Sequence, residues 1–275
     1  MSHPDHVIDT PDGVPVAVHE LGGDGPPVVL CHATGFHARC WEPTARRLAD
    51  RYRCVAVDLR GHGDTPPPDD LDLRWAGMAR DVLAVIDALD LGQVRAAGWS
   101  MGGAVITIAE ILRPGTIRSG FLFEPILFPA PPADLEHPLA PGARKRREVF
   151  ASRDEAYAAY EGRGPFARAT PEGLRAYVDH GFRDAEDGSV VLKCRGETEA
   201  QVYEAHDDEA WERLGEVGVD LVVGLSGDGG RPAELGPLIV DRLPGSSIVR
   251  LDDLTHMAPL EGPDAVAAAI SDAVG

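Results

Sequence analysis

The residues Ala96-Ala97-Gly98-Trp99-Ser100-Met101-Gly102-Gly103 stand between a short apolar run, Val94 to Ala97, and a run with helical spacing, Ala104 to Leu112. That order reads as strand, sharp turn, helix, with a Gly-x-Ser-x-Gly at the turn, the arrangement of a nucleophile elbow. The spacing has a steric reason. A serine exposed on so tight a turn takes a strained backbone, and side chains two residues to either side would clash. Gly98 and Gly102 carry no Cβ. The helix that follows aims its first amides at the space beside Ser100, where charge developing on an oxygen is stabilised. In an unplaced loop the same five residues would be an ordinary Gly/Ser turn. Their place between strand and helix gives them weight, provided a histidine and an acid follow.

The rest of the chain alternates in the same manner. Val14 to His19 reads as a strand near an edge, and Val28 to Cys31 as a short run covered on both faces. A small-residue loop follows, His32-Ala33-Thr34-Gly35-Phe36. Trp41 to Tyr52 is helical, Cys54 to Leu59 is the next buried strand, and Asp58 to Thr65 is a polar, glycine-rich turn. Trp75, Met78, Val82, Val85, Ile86 and Leu89 recur at helical spacing within Asp72 to Leu91. Gly120 to Phe123 is a strand closed by Glu124-Pro125. Strands alternating with helices imply a three-layer α/β fold, a mostly parallel sheet with helices on both faces.

The pattern breaks at Ile126. From there to about His206 the residues read as helix or loop, opening with Pro129, Pro131, Pro132, Pro138 and Pro141. No confident buried strand stands out. Residues 126–206 are therefore expected to form a helical cap or lid inserted into a core made of 1–125 and 207–275. Arg144-Lys145-Arg146-Arg147 within it is either a solvated helix face or an anchor for an anionic substrate. Alternation resumes with strands at Val219 to Leu225 and Ser247 to Leu251, a helix around Leu235 to Leu243, and a last helix from Pro263 to Ala273. His256 lies in the loop before that helix.

Composition excludes several classes. A net charge of −19 argues against nucleic acid or an anionic membrane as partner. No apolar stretch approaches the length needed to span a bilayer. Met1 to Thr10 has neither a cationic start nor an apolar core, so a cytoplasmic protein is expected. Cys31, Cys40, Cys54 and Cys194 have no metal-ligand spacing and read as free thiols. His3, His6, His19, His137, His180 and His206 are scattered and make no ligand set, so metal binding is not supported. Gly61-His62-Gly63 does not open a helix after a full dinucleotide fingerprint, so no cofactor is expected. The expected partner is a small-molecule substrate, and the oligomeric state stays open, a homo-oligomer included.

The order of parts resembles the α/β-hydrolase superfamily over nearly all of the chain outside the insertion. Gly98 to Gly102 looks like its elbow, and Asp58-Leu59-Arg60-Gly61-His62-Gly63 is similar to its Asp-x-Arg-Gly-x-Gly turn. Thr255-His256 with Glu261-Gly262-Pro263 looks like its histidine loop, with Thr255 in place of the usual glycine. His32-Ala33-Thr34-Gly35 stands where many members have His-Gly-x-x. The resemblance implies that Ser100 attacks, that His256 is general base and then acid, and that the Thr34 and Met101 amides hold the oxyanion. The aspartate nucleophile of haloalkane dehalogenases and epoxide hydrolases is absent.

A third member must hold the histidine in one tautomer and stabilise its cation. Asp228, past the end of the strand Val219 to Leu225, resembles the usual placement, although Gly224 sits one residue too far upstream. Glu124 ends the strand after the elbow helix, a position from which some members supply the acid. Asp228 is preferred of the two. His32, Trp41 and Trp99 are candidate substrate contacts, each with a competing structural role: bracing the oxyanion loop for His32, packing for both tryptophans. The expected activity is a serine hydrolase acting on a small or medium ester, lactone or thioester. A meta-cleavage carbon–carbon hydrolase, a cofactor-free haloperoxidase-like activity and a ligand-binding module on the same frame are its rivals.

Overall fold

Val28, Val29, Leu30 and Cys31 are all fully buried, which happens to four consecutive residues of a strand only when both faces of its sheet are covered. The computed structural model describes residues 3–129, 137–205 and 209–275. Eight strands form its main sheet: β1 (His6–Asp9), β2 (Pro15–Glu20), β3 (Pro27–Cys31), β4 (Arg53–Val57), β5 (Val94–Trp99), β6 (Ile117–Phe123), β10 (Leu221–Ser226) and β11 (Ser247–Leu251). Their order across the sheet is β1-β2-β4-β3-β5-β6-β10-β11. β2 pairs antiparallel with both β1 and β4, and all other neighbours in this sheet are parallel.

Helices α1 (Glu42–Leu48), α2 (Trp75–Ala88), α3 (Met101–Leu112), α8 (Arg231–Val240) and α10 (Pro263–Val274) cover the sheet. α2 packs on α3 and α1 on α10. One apolar layer therefore holds Met78, Val82, Val105, Ile108 and Ile239, and the other holds Ala45, Leu48, Val266 and Ile270. This is the three-layer α/β architecture expected from the alternation.

Between β6 and β10 lie α4 (Ala140–Arg144), α5 (Arg153–Tyr160), α6 (Pro171–Gly181), α7 (Gly196–Glu204) and a small second sheet. Its strands are β7 (Val149–Phe150), β8 (Phe182–Asp184) and β9 (Val190–Leu192), antiparallel in the order β7-β9-β8. The sequence reading found no strand here. Pieces of two or three residues are too short to display a period of two. Pro131, Pro132, His206 and the expected boundary at 206–207 lie outside the described residues. The edge strand β1 was likewise not anticipated, because its four residues never become fully buried.

The topology positions the site. Parallel strands deliver their C-terminal ends to one edge, so the loops after β3, β5, β6, β10 and β11 converge there. Those loops carry Thr34, Ser100, Glu124, Asp228 and His256. The short helix α9 (Ala258–Glu261) closes the histidine loop.

Candidate active site

Ser100 sits between β5 and α3 with φ 56° and ψ −117°, a conformation that costs a non-glycine residue on the order of 1–3 kcal/mol. The neighbours enforce it. A Cβ on Gly98 would lie 2.5 Å from the Gly103 nitrogen, and one on Gly102 would lie 2.2 Å from the Cys31 carbonyl oxygen. Two backbone bonds hold the turn: the Ser100 amide donates to the Phe123 carbonyl at 2.9 Å, and the Gly103 amide to the Ser100 carbonyl at 3.0 Å.

Trp99 and Phe123 are in register on β5 and β6, so Ser100 and Glu124 leave the sheet side by side. Glu124 is the second strained residue of the site, with φ 44°. Its side chain is fully buried and its Oε2 lies 2.6 Å from His256 Nδ1. Oε1 accepts from the Ser226 amide at 2.9 Å and from Ser226 Oγ at 2.5 Å. Burial alone would raise the Glu124 pKa. The hydrogen bonds from His256 and Ser226 outweigh it and hold the carboxyl below its ordinary range.

The histidine loop is fixed from two sides. The Trp99 indole donates to the His256 carbonyl at 2.7 Å. Glu261 accepts from the Thr255 amide at 2.9 Å and from its hydroxyl at 2.6 Å. With Nδ1 facing a carboxylate, the ring keeps its hydrogen there, and Nε2 is left as the basic nitrogen. No hydrogen bond joins Ser100 Oγ to the His256 ring among the described residues. The rings of His256 and Trp99, the residue before Ser100, are 6.4 Å apart between centroids.

Of the two carboxylates weighed as the partner of His256, Glu124 is the one in contact with it and Asp228 is not. Its carboxylate stops at Ser226 Oγ, 2.6 Å away, and Ser226 stands between it and Glu124. β6 is next to β5, whereas β10 is one strand farther out. The end of β6 is therefore the nearer of the two to the strand that ends in Trp99, whose indole holds the histidine loop.

The loop after β3 supplies the other wall. Thr34 Oγ1 lies 3.2 Å from Met101 Sδ, tying this loop to the residue after Ser100. Among the described residues the Thr34 and Met101 amides donate to no backbone acceptor. Two buried imidazoles brace the loop in matching ways. His32 Nδ1 lies 2.8 Å from the Ala33 carbonyl while its Nε2 accepts from the Leu59 amide at 3.0 Å. His62 Nδ1 lies 3.1 Å from the Arg60 carbonyl while its Nε2 accepts from the Gly35 amide at 3.0 Å. Both rings must be neutral to accept an N–H, and burial pushes His32 down to about 3 and His62 down as well.

The sequence profile of the Alpha/beta hydrolase family matches residues 28–269, which bracket Ser100, Glu124 and His256. The chain belongs to that family. Haloalkane dehalogenase 2 of Mycobacterium tuberculosis is 25% identical over 264 residues, covering 92% of this chain and 89% of the relative. The pimeloyl-[acyl-carrier protein] methyl ester esterase of Aeromonas hydrophila is 32% identical over 100 residues, 36% of this chain and 38% of that protein. Among solved structures, E-2-(acetamidomethylene)succinate hydrolase superposes with a TM-score of 0.80 at 19% identity, covering 98% of both chains. At that identity the likeness is one of fold.

The remaining sequence candidates take structural positions in this α/β-hydrolase. His32 has both ring nitrogens committed to backbone, Trp41 is fully buried, and Trp99 is buried with its indole on the histidine loop. All three are buried, in keeping with the structural roles weighed for them. In the basic cluster Arg144 pairs with Glu197 and Glu204, Arg146 with Glu199, and Arg147 with Glu155. These arginines already have their anions. Among the described residues one trio brings possible metal donors together: His19, Asp58 and Asp64, within 4.8 Å. Asp58 there accepts from His19, the Ala38 amide and the Asp64 amide, and Asp64 pairs with Lys193 at 2.6 Å. The trio is a hydrogen-bonded brace for the Asp58 to Thr65 turn. Sequence reasoning missed Ser226, whose position carries no motif signal of its own, and assigned no role to Glu261 although it belongs to the histidine-loop motif.

Proposed function

We infer that this hydrolase cleaves a small or medium carboxylic ester, lactone or thioester through an acyl-enzyme on Ser100. The observation that carries the reading is the buried Glu124 on Nδ1 of His256, in a loop tied to Trp99, the residue before the strained Ser100. Ser100 Oγ attacks the substrate carbonyl carbon as His256 Nε2 takes its proton, and Glu124 stabilises the imidazolium. The carbonyl oxygen becomes an oxyanion and accepts from the Thr34 and Met101 amides. Collapse expels the alcohol or thiol, which leaves with the proton from His256. A water deprotonated by the same nitrogen then attacks the acyl-enzyme, releasing the acid and regenerating Ser100.

Residues 126–206 act in this reading as the lid that shapes the substrate pocket. Contacts on both catalytic loops support that role. Thr170 donates through its amide and hydroxyl to the Leu260 carbonyl, at 2.9 and 3.0 Å. Glu199 packs so closely on the oxyanion loop that a Cβ on Gly35 would lie 2.6 Å from its Oε1.

The serine at position 100 separates this chemistry from that of the dehalogenase relative, and the esterase relative supports an ester as substrate. The test is a panel of acyl esters of graded length, lactones, thioesters, a haloalkane and a meta-cleavage product, run with the wild type and Ser100→Ala. Ester, lactone or thioester turnover that disappears in Ser100→Ala supports the reading. Turnover confined to the haloalkane or the meta-cleavage product contradicts it.

A further inference from the structure

The Ser226 hydroxyl is fully buried and lies 2.5 Å from Glu124 Oε1 and 2.6 Å from Asp228 Oδ1. Both distances are those of a hydroxyl donating to a carboxylate. The hydroxyl has one hydrogen, so it can serve one carboxylate at a time. The Ser226 amide adds a bond to Glu124 that does not depend on this choice. The four groups therefore form one line, Asp228, Ser226, Glu124, His256, running from solvent at the end of β10 to the imidazole ring.

We propose that Ser226 and Asp228 are positioning residues that set the basicity of His256 from behind Glu124. When the Ser226 hydrogen turns to Glu124, it neutralises part of the carboxylate's charge and weakens its hold on the imidazolium. When it turns to Asp228, Glu124 keeps only the amide bond on Oε1 and holds the imidazolium more firmly. Asp228 also places a second carboxylate behind the pair. Charged groups stand around this end of β10 on several elements: Arg250 on β11, which donates to the Ser226 carbonyl at 3.2 Å and pairs with Asp252 at 2.7 Å; Arg231 at the start of α8, whose guanidinium lies over the Phe128 ring; Asp253 on the loop after β11; and Glu261 at the end of α9. Of the charged groups behind Glu124, Asp228 is the one with a hydrogen bond to the Ser226 hydroxyl.

This inference rests on the reading of Ser100, His256 and Glu124 as the catalytic set. Its test is the pH dependence of kcat/KM with p-nitrophenyl acetate for the wild type, Ser226→Ala, Ser226→Thr and Asp228→Asn. Asp228 is exposed, so its amide variant disturbs no packing. The Asn amide donates to Ser226 Oγ, which turns the hydroxyl permanently to Glu124 and removes a negative charge. The acid limb then moves to lower pH by about half a unit. Ser226→Ala removes the donor to Glu124, which moves the limb to higher pH by about half a unit. Ser226→Thr restores the hydroxyl and the wild-type limb. Opposite shifts in the two variants are the expected signature, because a merely structural role moves neither limb. Unmoved limbs in Ser226→Ala and Asp228→Asn, with acetate ester turnover retained, overturn this proposal alone. Loss of several orders of magnitude in Asp228→Asn, with Glu124→Gln unimpaired, overturns the assignment of the acid beneath it.

Discussion

Glu124 Oε2 and His256 Nδ1 are 2.6 Å apart although 132 residues separate them in the chain. The contact depends on the register that places Phe123 opposite Trp99, because that pairing sends the carboxylate and the nucleophile out of the sheet together. Removing the charge while keeping the shape is its direct test. Glu124→Gln should lower kcat on an ester by on the order of 10³- to 10⁴-fold, because an amide can hold the wrong tautomer and cannot stabilise the imidazolium. Asp228→Asn should lower it less than about tenfold. Steady-state rates of the two variants check this, and the reverse order would contradict the placement of the acid.

The elbow predicts its own intolerance. A Cβ on Gly102 would be 2.2 Å from the Cys31 carbonyl oxygen, which is backbone in the middle of the core. Gly102→Ala should therefore cost on the order of 3 kcal/mol and displace the turn that presents Ser100. The urea midpoint and ester turnover should both fall. A wild-type midpoint would show that β3 can retreat, contrary to this account.

Arg60 and Asp81 form a buried pair with two bonds of 2.7 Å, and Arg60 also donates to the Asp72 and Gly77 carbonyls. Both side chains are almost wholly out of solvent. Asp81→Ala leaves the guanidinium charged without its principal partner and should cost about 3–5 kcal/mol. Chemical denaturation measures it, and a loss under about 1 kcal/mol would contradict the pairing as drawn.

Stability should fall in mild acid. Burial lowers His32 and His37 to about 3 in the folded protein, while in the unfolded chain both titrate near 6.5. Below that value the unfolded chain binds protons that the folded one does not. Their contribution is thus fully present above about pH 7 and declines toward pH 3, at about 1.4 kcal/mol per pH unit for each histidine. Asp58 acts in the same direction. Burial alone would raise it, and the hydrogen bond from His19 holds it well below the carboxylate range, so its contribution is lost at still lower pH. The urea midpoint should be flat above pH 7 and drop steeply between pH 6 and 4.5. A flat midpoint down to pH 4.5 would contradict the neutral, buried imidazoles.

The parts legible in the sequence are those whose pattern is local. Gly98, Ser100 and Gly102 announce a turn because sterics within five residues decide it, and Val28 to Cys31 announces a covered strand by composition. The acid was not legible in that way. Glu124 and Asp228 follow β6 and β10, neighbouring strands of one sheet, and the Glu124 amide donates to the Gly224 carbonyl at 2.9 Å. Both carboxylates arrive at the same edge. Only the three-dimensional path, with Ser226 lying between them, decides which reaches His256. The arginines Arg144, Arg146 and Arg147 read as a charge run because their partners, Glu197, Glu204, Glu199 and Glu155, lie elsewhere along the chain. The strands β7 to β9 were hidden by their length.

The most direct measurement is covalent trapping: intact-mass and peptide mapping after treatment with a fluorophosphonate, for the wild type, Ser100→Ala and His256→Ala. The account predicts a single adduct on Ser100 in the wild type, none in Ser100→Ala, and labelling slowed by orders of magnitude in His256→Ala. Equal labelling of Ser100→Ala, or an adduct on another residue, would contradict it.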